Sequence, residues 1–280
     1  MENKKSTLEK RKIDLCICIK NRAALLSVLF DTIEKITKDL DCNIIFVDGK
    51  SKDNTAIELI KFYNKHKENC IIKQLKDDNC TYIDAYNEAM KATVSDYICW
   101  LDCDDMCDYN KLKVQSEFLD KNKDVVDVVS CSTYLMNKQV ISNTLVKTDN
   151  EQITKGLESG IPMKEICHFQ SCMFRRKCLK KFKNDMYFYP EFIGGYAGEA
   201  FLYLLHYAGF KFANLASTLY IYTKGMLPDS LTNNVEPSYS IEIGNMTYEQ
   251  RKKELTKLMR KYNKKQELAE EANHAEESKE

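Results

Sequence analysis

The chain has 280 residues, 44% of them hydrophobic and 30% charged, so it can bury a large core in the manner of an ordinary globular protein. Its 42 basic and 42 acidic residues cancel, which argues against nucleic acid or an anionic membrane as a partner. No apolar run approaches the ~18 residues of a membrane span and no secretory signal is visible, so we expect a cytoplasmic protein without a transmembrane segment.

Strand-like and helical patterns alternate from residue 13 onward. Residues 13–19 form a buried apolar run, and 22–38 follow with apolar side chains at helical spacing. Further strands are predicted at 42–47, 70–75 and 97–101, and further helices at 53–67 and 82–93. This alternation predicts an α/β fold whose mainly parallel sheet is covered by helices on both faces. Ligands of such sheets bind beyond the carboxyl ends of the strands.

The alternation weakens in the second half of the chain. A helix at 111–120 and a strand at 125–131 are predicted, whereas 137–164 fits either a hairpin or a mobile loop. Regular patterns return as a strand at 168–175, a helix at 199–207 and an extended stretch at 210–222. From residue 248 the sequence predicts a charged helix, with the acid-rich residues 267–280 frayed at its end.

The twelve cysteines are not arranged like a metal site or a disulfide framework. Several lie within apolar, strand-like runs, and no Cys-x₂-Cys pair occurs. Cys99, Cys103 and Cys107 fall on a predicted strand and loop rather than on one helix face. We therefore expect reduced thiols and no zinc site.

Three carboxylates, Asp102, Asp104 and Asp105, directly follow the predicted strand at 97–101. Carboxylate oxygens suit hard cations such as Mg²⁺ and Mn²⁺. Protein sites for Mg²⁺ commonly use one or two carboxylates and complete the coordination with substrate phosphates and water. The cluster therefore predicts a divalent-metal site and a nucleotide-diphosphate substrate.

Three motifs, taken in order, resemble those of the GT-A glycosyltransferases, specifically the inverting family 2. Residues 48–55, Asp-Gly-Lys-Ser-Lys-Asp-Asn-Thr, resemble the family's turn after the second strand. Residues 82–89 resemble a segment of one sub-group that reads Tyr-Asp-Ala-x-Asn, and Asp102-Cys103-Asp104-Asp105 follows at the family's spacing. The resemblance covers roughly residues 13–232. It implies a GT-A fold, with a Rossmann-like sheet, a smaller acceptor-side region and a C-terminal helix.

The resemblance also implies a division of the chain. Residues 1–12 would be an N-terminal extension, 13–240 the glycosyltransferase domain and 241–280 a charged helix and tail. Within the domain, 13–131 would bind the nucleotide-sugar and 132–240 would face the acceptor. The implied function is metal-dependent inverting transfer of a hexosyl or N-acetylhexosaminyl group in glycan or polysaccharide biosynthesis. The expected donor is a UDP-sugar and the acceptor a glycan, a lipid-linked intermediate or a protein, while a homodimer is left open.

On this resemblance Asp104 is a ligand of Mn²⁺ or Mg²⁺, and Asp102 lies near both the metal and the ribose. Asp105 would support the sugar or the metal shell, or else cap the helix at 111–120. Asp48 would lie beside the base. Gly49 stands where many relatives carry a second acid, which leaves the identity of the base open. Ser51 and Asp53 are expected to be N-caps of the following helix.

Five further residues are candidates for contacts with donor or acceptor. Asp84 and Asn87 are three residues apart, so one helix face can direct both at the nucleotide or sugar, with surface exposure as the alternative. Lys224 lies where relatives close a loop over the diphosphate, and it would pair with a phosphate. His168 and His206 are candidate acceptor ligands, a structural hydrogen bond being the alternative for each.

Inverting transfer needs a base that takes the proton of the acceptor hydroxyl. The family supplies it from a Glu-Asp pair that opens a late helix, and this chain keeps Glu199 but has Ala200 in place of the aspartate. Glu199 is the candidate base, or alternatively a helix-capping acid. Ala200 and the lack of the family's loop histidine keep open a non-catalytic relative that binds nucleotide-sugar. A nucleotidylyltransferase is the other alternative, although residues 20–22 lack the glycines of its phosphate-binding loop.

Overall fold

The computed structural model describes residues 8–77, 79–137, 140–143, 149–183, 185–192, 197–223 and 246–277. Within these ranges nine strands form one sheet. Their order across the sheet is β3 (Cys70–Gln74), β2 (Cys42–Asp48), β1 (Ile13–Ile19), β4 (Tyr97–Trp100), β8 (Met173–Arg175), β6 (Val128–Asn137), β9 (Phe212–Thr223) and β5 (Met106–Cys107), with β7 (Val140–Asn143) beside β6. Helices cover both faces of this sheet, as the alternating pattern predicts.

The first half of the sheet is parallel. Strand β1 (Ile13–Ile19) lies between β2 (Cys42–Asp48) and β4 (Tyr97–Trp100), and β3 (Cys70–Gln74) pairs with β2. Helices α1 (Leu26–Thr37), α2 (Thr55–Lys65) and α3 (Tyr82–Ala92) connect these strands. Because both faces of the sheet are covered, β1, β2 and β4 are buried almost throughout and read as continuous apolar runs.

The second half of the sheet mixes strand directions. Strand β8 (Met173–Arg175) runs antiparallel to β4 and to β6 (Val128–Asn137), whereas β9 (Phe212–Thr223) is parallel to β6. The short strands β5 (Met106–Cys107) and β7 (Val140–Asn143) pair with β9 and β6. The strand expected at 168–175 is shorter in the structure, where β8 begins at Met173. The residues before it, Phe169–Ser171, form a 3₁₀ turn instead.

The region 137–164 contains more regular structure than its sequence pattern indicates. Strand β7 forms the hairpin that was one alternative for this region. Two helices, α5 (Asn150–Glu158) and α6 (Met163–Ile166), follow it. Helix α5 starts where the Asp149 carboxylate accepts a hydrogen bond of 2.9 Å from the backbone of Gln152. Short helices such as these give little periodic signal, since few of their side chains reach the core.

Two hydrophobic cores lie on opposite faces of the sheet. Helices α1, α2 and α4 (Lys111–Lys121) pack on one face, and α3, α7 (Ala197–Tyr207) and α8 (Tyr248–Glu277) lie on the other. Successive residues of a strand point to opposite faces of the sheet. Leu15 and Ile17 therefore pack in the core on the side of α1, α2 and α4, and Cys16 packs in the other core. All twelve cysteines are free thiols, most of them buried in these cores.

The first half of helix α8 packs against the rest of the domain. Arg251 is 3% exposed and donates a hydrogen bond of 2.8 Å to the hydroxyl of Tyr203 on α7. Tyr262 stacks on Tyr189 with ring centroids 4.6 Å apart. The helix continues to Glu277, so the expectation of a frayed end from residue 267 is wrong for 267–277. None of the helices in the described ranges combines the length and the apolar character that crossing a bilayer requires.

Candidate active site

The acidic side chains of two strands meet at the carboxyl edge of the parallel half-sheet. Asp48 is the last residue of β2, and Asp102 follows β4 by two positions. Strand β1 lies between β2 and β4 and is in register with both, so these two ends flank its own carboxyl end. This is the edge at which open α/β sheets bind ligands.

Asp48 is 1% exposed and is fixed by its neighbours. Its Oδ1 accepts hydrogen bonds from the backbone and the hydroxyl of Ser51, at 3.0 and 2.6 Å. Its Oδ2 accepts a hydrogen bond of 3.1 Å from Nε2 of Gln74, the last residue of β3. Ser51 is therefore not the helix cap that its position suggests, because its hydroxyl holds the Asp48 carboxylate.

Asp53 is also not the N-cap of α2, which is Asn54. Its Oδ2 accepts a hydrogen bond of 3.1 Å from the backbone of Ala23, and Oδ1 accepts one of 3.0 Å from that of Thr55. Asn21 joins the same two loops, because its Oδ1 accepts from the backbone of Lys52 at 2.7 Å. The loops after β1 and β2 are thus linked to each other beside Asp48.

The acidic loop after β4 contains Asp102, Asp104 and Asp105. Asp102 is half-buried, and burial together with the charges of Asp105 and Asp104 raises its pKa well above the usual value. A bound cation would reverse this shift, because it favours the charged carboxylate. The loop therefore concentrates negative charge at a place where water only partly solvates it.

Asp105 is hydrogen-bonded to residues of β9, and its expected support of the sugar or the metal shell stays a prediction. Its Oδ2 accepts a hydrogen bond of 2.6 Å from the hydroxyl of Tyr220, and Oδ1 accepts one of 2.8 Å from the backbone of Thr223. Burial raises the pKa of Asp105 to about 7, although the hydrogen bonds from Thr223 and Tyr220 oppose this. Asp105 does not cap α4, since the N-cap is Asn110. It ties the acidic loop to the end of β9.

The donor chemistry of Asp102 and Asp104 fits a divalent cation. In the described part of the chain, no group of three or more His, Cys, Asp or Glu side chains is arranged to hold a metal. A Mg²⁺ or Mn²⁺ ion that also binds a diphosphate needs only one or two protein carboxylates. Two carboxylates on one loop, Asp102 and Asp104, match that requirement.

An aromatic cluster packs around Trp100, at the strand end that carries the acidic loop. Trp100, the last residue of β4, lies 4.7 Å from the ring of Tyr86 and 5.4 Å from that of Phe169, centroid to centroid. Phe188 lies 6.0 Å from Trp100. All four rings are buried, so the strand end that carries the loop rests on close-packed side chains with little freedom to move.

Gln170 contacts the acidic loop directly and was not predicted to have a role. It lies in the 3₁₀ turn before β8, and its Nε2 donates a hydrogen bond of 2.8 Å to Oδ2 of Asp102. The sequence gives no signal for this contact, because the two residues are far apart in the chain and the turn reads as part of a strand. The preceding residue, Phe169, packs against Gly198 at the start of α7.

His168 lies at the start of the same turn. Its ring packs at a tilt of 41° against that of Tyr222, with centroids 4.5 Å apart. Burial lowers its pKa to about 4, so the imidazole is neutral at physiological pH. Nδ1 is buried without a protein hydrogen-bond partner in the described ranges. The acceptor contact expected of His168 stays a prediction.

Glu199 lies in the first turn of α7. Its Oε1 is 3.5 Å from the backbone nitrogen of Lys164, which donates to it. Burial raises the pKa of Glu199, while the charges of Lys164 and Arg251 oppose the shift. A carboxylate with a raised pKa is a stronger base, which suits the role expected of it. Ala200, in the position of the family's aspartate, is buried in the core.

Asp84 and Asn87 do not point at one site together. Asp84 is exposed, and its carboxylate accepts hydrogen bonds of 2.7 and 2.9 Å from the backbone and hydroxyl of Thr81, which caps α3. Asn87 is buried, and its amide binds the backbone of Tyr187 and Phe188 at 2.8–2.9 Å. The expectation that both face the nucleotide is corrected, because each side chain is used within the protein.

His206 has a structural place as well. Its Nε2 lies 2.9 Å from the hydroxyl of Tyr248 on α8, and its ring packs edge-on to Phe212. Burial lowers its pKa to about 4. His206 therefore holds α8 against α7, which corrects the expectation that it binds the acceptor. Lys224, the expected phosphate ligand, lies outside the described residues.

Comparison with solved structures identifies the fold. The structure of S. aureus TarS 1–349 with UDP-GlcNAc has a TM-score of 0.59 at 20% identity, over 76% of this chain and 58% of that one. The mannosyltransferase PcManGT from Pyrobaculum calidifontis, with GDP-Man and Mn²⁺, has a TM-score of 0.57 at 14% identity, over 84% and 61%. This chain therefore spans about three fifths of each relative. Both are similar in fold, and the expected GT-A architecture is confirmed.

No curated protein matches the sequence significantly. The family model described as glycosyl transferase family 2 matches residues 14–182, which include β1 to β8 with Asp48, the acidic loop and Gln170. Because that match covers more than half of the sequence, the chain belongs to glycosyl transferase family 2.

Proposed function

We propose that the protein is a metal-dependent inverting glycosyltransferase that moves a sugar from a nucleotide-diphosphate donor to an acceptor hydroxyl. The observation that carries this proposal is the pair of acidic positions at one sheet edge, Asp48 after β2 and the Asp102–Asp105 loop after β4. The family match and the glycosyltransferase folds of its neighbours support it.

The proposed donor is a UDP-sugar. TarS is bound to UDP-GlcNAc in one structure and to UDP in another, whereas PcManGT is bound to GDP-Man, so the fold accepts more than one base. In this chain Asp48 would accept from the base or the ribose, held in place by Ser51 and Gln74. The group proposed to be transferred is a hexosyl or N-acetylhexosaminyl group.

Asp104 and Asp102 would hold Mn²⁺ or Mg²⁺ at the diphosphate. When bound, the cation neutralises the negative charge that grows on the departing nucleoside diphosphate. The protein's part is to hold the two carboxylates in place on a rigid support. Because the negative charge on the diphosphate is larger in the transition state than in the ground state, a cation held there would favour the transition state, which is the condition for catalysis.

Glu199 is the proposed general base. The acceptor hydroxyl gives its proton to the Glu199 carboxylate while its oxygen forms the new bond to the anomeric carbon. The bond from that carbon to the diphosphate oxygen breaks, and the electron pair leaves with the nucleoside diphosphate. Attack in line with the leaving group inverts the anomeric configuration. Burial, which raises the pKa of Glu199, makes it a better proton acceptor.

The proposed acceptor is a hydroxyl of a glycan, a lipid-linked intermediate or a protein, in glycan or polysaccharide biosynthesis. His168 is the proposed acceptor-binding residue: it precedes Gln170 by two positions, and its ring is neutral because burial lowers its pKa to about 4. A neutral imidazole nitrogen can accept a hydrogen bond from an acceptor hydroxyl without competing for the metal's charge.

A panel of nucleotide-sugars tests the proposal. With Mn²⁺, wild-type protein is expected to release nucleoside diphosphate from one donor of the panel, and Asp104→Ala to release none above background. Asp124→Ala, which changes an exposed aspartate, is the matched control and should keep the activity. Binding of a donor without release by wild type would instead favour the non-catalytic relative that Ala200 suggests.

A further inference from the structure

Gln170 holds the first carboxylate of the acidic loop. Its Nε2 donates a hydrogen bond of 2.8 Å to Oδ2 of Asp102. Within the described part of the chain, no other side chain hydrogen-bonds this carboxylate. Oδ1 of Asp102 is therefore left for a ligand. The amide sets the rotation of the carboxylate, and that rotation decides where Oδ1 points.

The backbone that carries Gln170 is firmly held. Ser171 is fully buried, and its hydroxyl lies 2.6 Å from that of Ser130 and donates to the carbonyl of His168 at 2.6 Å. Gln115 of α4 donates a hydrogen bond of 2.7 Å to the Ser171 carbonyl. The backbone position of Gln170 is thus fixed, and its amide is held within reach of Asp102.

The chemistry of an amide suits this position. A lysine or arginine would pair with Asp102 and compete with a cation for its charge, whereas a neutral donor orients the carboxylate and leaves that charge intact. Groups that hydrogen-bond a metal ligand commonly fix its geometry, and their loss weakens metal binding about 10–100-fold.

We propose that Gln170 is a positioning residue that orients Asp102 for the divalent cation, an inference that rests on the proposed function. It acts through Asp102 and need not touch the donor or the acceptor. Removing the amide is therefore expected to weaken the cation's binding while the fold is retained.

Trp100 supplies a readout that does not depend on catalysis. It is the one tryptophan in the sequence, and it ends β4 two residues before Asp102. Paramagnetic Mn²⁺ bound at the loop is expected to quench its fluorescence. A titration with Mn²⁺ in the presence of UDP then gives the cation concentration at half-maximal quenching for each variant.

Two variants remove the hydrogen bond by different means. Gln170→Met keeps the length of the side chain without a donor, and Gln170→Asn keeps the amide but is too short to reach Asp102. Both are expected to raise the half-maximal Mn²⁺ concentration about 10–100-fold. If one fails to fold, the other still carries the test.

Gln115→Met is the matched control, because Gln115 supports the same turn without touching Asp102. It is expected to lower the melting temperature but to change the half-maximal Mn²⁺ concentration less than about threefold, well below the loss expected for a group that orients a metal ligand. An equal rise in Gln115→Met and Gln170→Met would overturn the inference, because the turn rather than the amide would then control the cation. Unchanged quenching in both Gln170 variants would overturn it as well.

The response of wild type separates this inference from the proposed function. If wild type shows saturable quenching by Mn²⁺ and the Gln170 variants match it, only the role of Gln170 is wrong. If wild type shows no saturable quenching, with or without UDP, the metal-dependent function itself is contradicted, and the role of Gln170 is overturned with it.

Discussion

The hydroxyl of Tyr220 donates a hydrogen bond of 2.6 Å to the buried carboxylate of Asp105. Tyr220 lies in β9 and Asp105 in the acidic loop, so this contact joins the last strand of the sheet to the loop proposed to hold the cation. Thr223 adds a second link through its backbone N–H, at 2.8 Å. The position of the acidic loop therefore depends on a strand more than a hundred residues away in the sequence.

Tyr220→Phe should destabilise the protein. The change removes the donor and leaves a buried carboxylate oxygen of Asp105 without its partner, a loss that typically costs ~1–3 kcal/mol. Thermal unfolding should show a lower melting temperature than wild type. Tyr134→Phe, at a side chain that is 39% exposed, is the control and should change little. Equal melting temperatures for wild type and Tyr220→Phe would mean that the contact contributes nothing to stability.

Glu199→Gln should separate binding from transfer. The amide keeps the size of the side chain but cannot accept the acceptor's proton, so transfer should fall by a factor on the order of 10²–10⁴. Donor affinity, measured by calorimetry, should stay close to that of wild type. Glu165→Gln, an exposed neighbour, controls for the loss of one negative charge near this helix. Near-normal turnover of Glu199→Gln would exclude Glu199 as the base.

Protonation of His206 should lower the free energy of unfolding as the pH falls. Burial lowers its folded-state pKa to about 4, below the ~6.5 of an unfolded histidine. The unfolded chain thus gains a proton first as the pH falls, so stability is fully present above about pH 6.5 and declines toward pH 4, by at most ~1.4 kcal/mol per pH unit.

The measurement is the melting temperature between pH 7 and pH 4 for wild type and His206→Gln. Glutamine can still reach Tyr248 but does not titrate, so the variant should lose less stability in acid than wild type does. His66→Gln, at a partly exposed histidine beside Glu34, is the control. His168 is buried in the same neutral state and will keep part of the acid sensitivity. Parallel curves for wild type and His206→Gln would refute this role of His206.

Truncation after Lys264 should leave the fold intact. In the part of α8 whose side chains the structure describes, which ends at Lys264, docking contacts come from Arg251, from Tyr262, whose hydroxyl donates to Glu191 at 2.9 Å, and from Asn263, which accepts from the backbone of Lys183 at 3.0 Å. The cut keeps all three of these contacts. The melting temperature should therefore change by no more than about 2 °C, the effect of well under 1 kcal/mol.

Truncation after Lys257 is the comparison, since it also removes Tyr262 and Asn263 and should lower the melting temperature clearly. A marked loss of stability on truncation after Lys264 would show that the last part of α8 packs against the domain.

The first half of the fold was predictable because each element carries its own periodic signal. Strands such as Ile13–Ile19 are buried on both sides, and helices such as Leu26–Thr37 place Leu29, Ile33 and Ile36 on one face. The second half was harder, because α5, α6 and the turn at Phe169–Ser171 are short and irregular. Their conformation depends on tertiary contacts, which a local pattern does not contain.

Some features of the candidate site were likewise predictable from the sequence, and others were not. Asp48 and Asp102 were predicted at a common edge, because carboxyl ends of parallel strands meet there. The place of Asp105 was not predictable, since its partners Tyr220 and Thr223 come from a distant strand. Asn87 and His206 carry chemically suggestive side chains, yet their hydrogen bonds serve Phe188 and Tyr248. Residue type alone does not reveal whether a polar group is already used within the fold.

The proposed function depends on a cation that the acidic loop binds and that neutralises the donor's diphosphate. Calorimetric titration of UDP, with and without Mn²⁺, tests it on wild type, Asp104→Ala and the surface control Asp124→Ala. Mn²⁺ should strengthen UDP binding to wild type and to Asp124→Ala, and Asp104→Ala should lose this enhancement. The same Mn²⁺-dependent affinity in Asp104→Ala as in wild type would show that the acidic loop does not bind the cation.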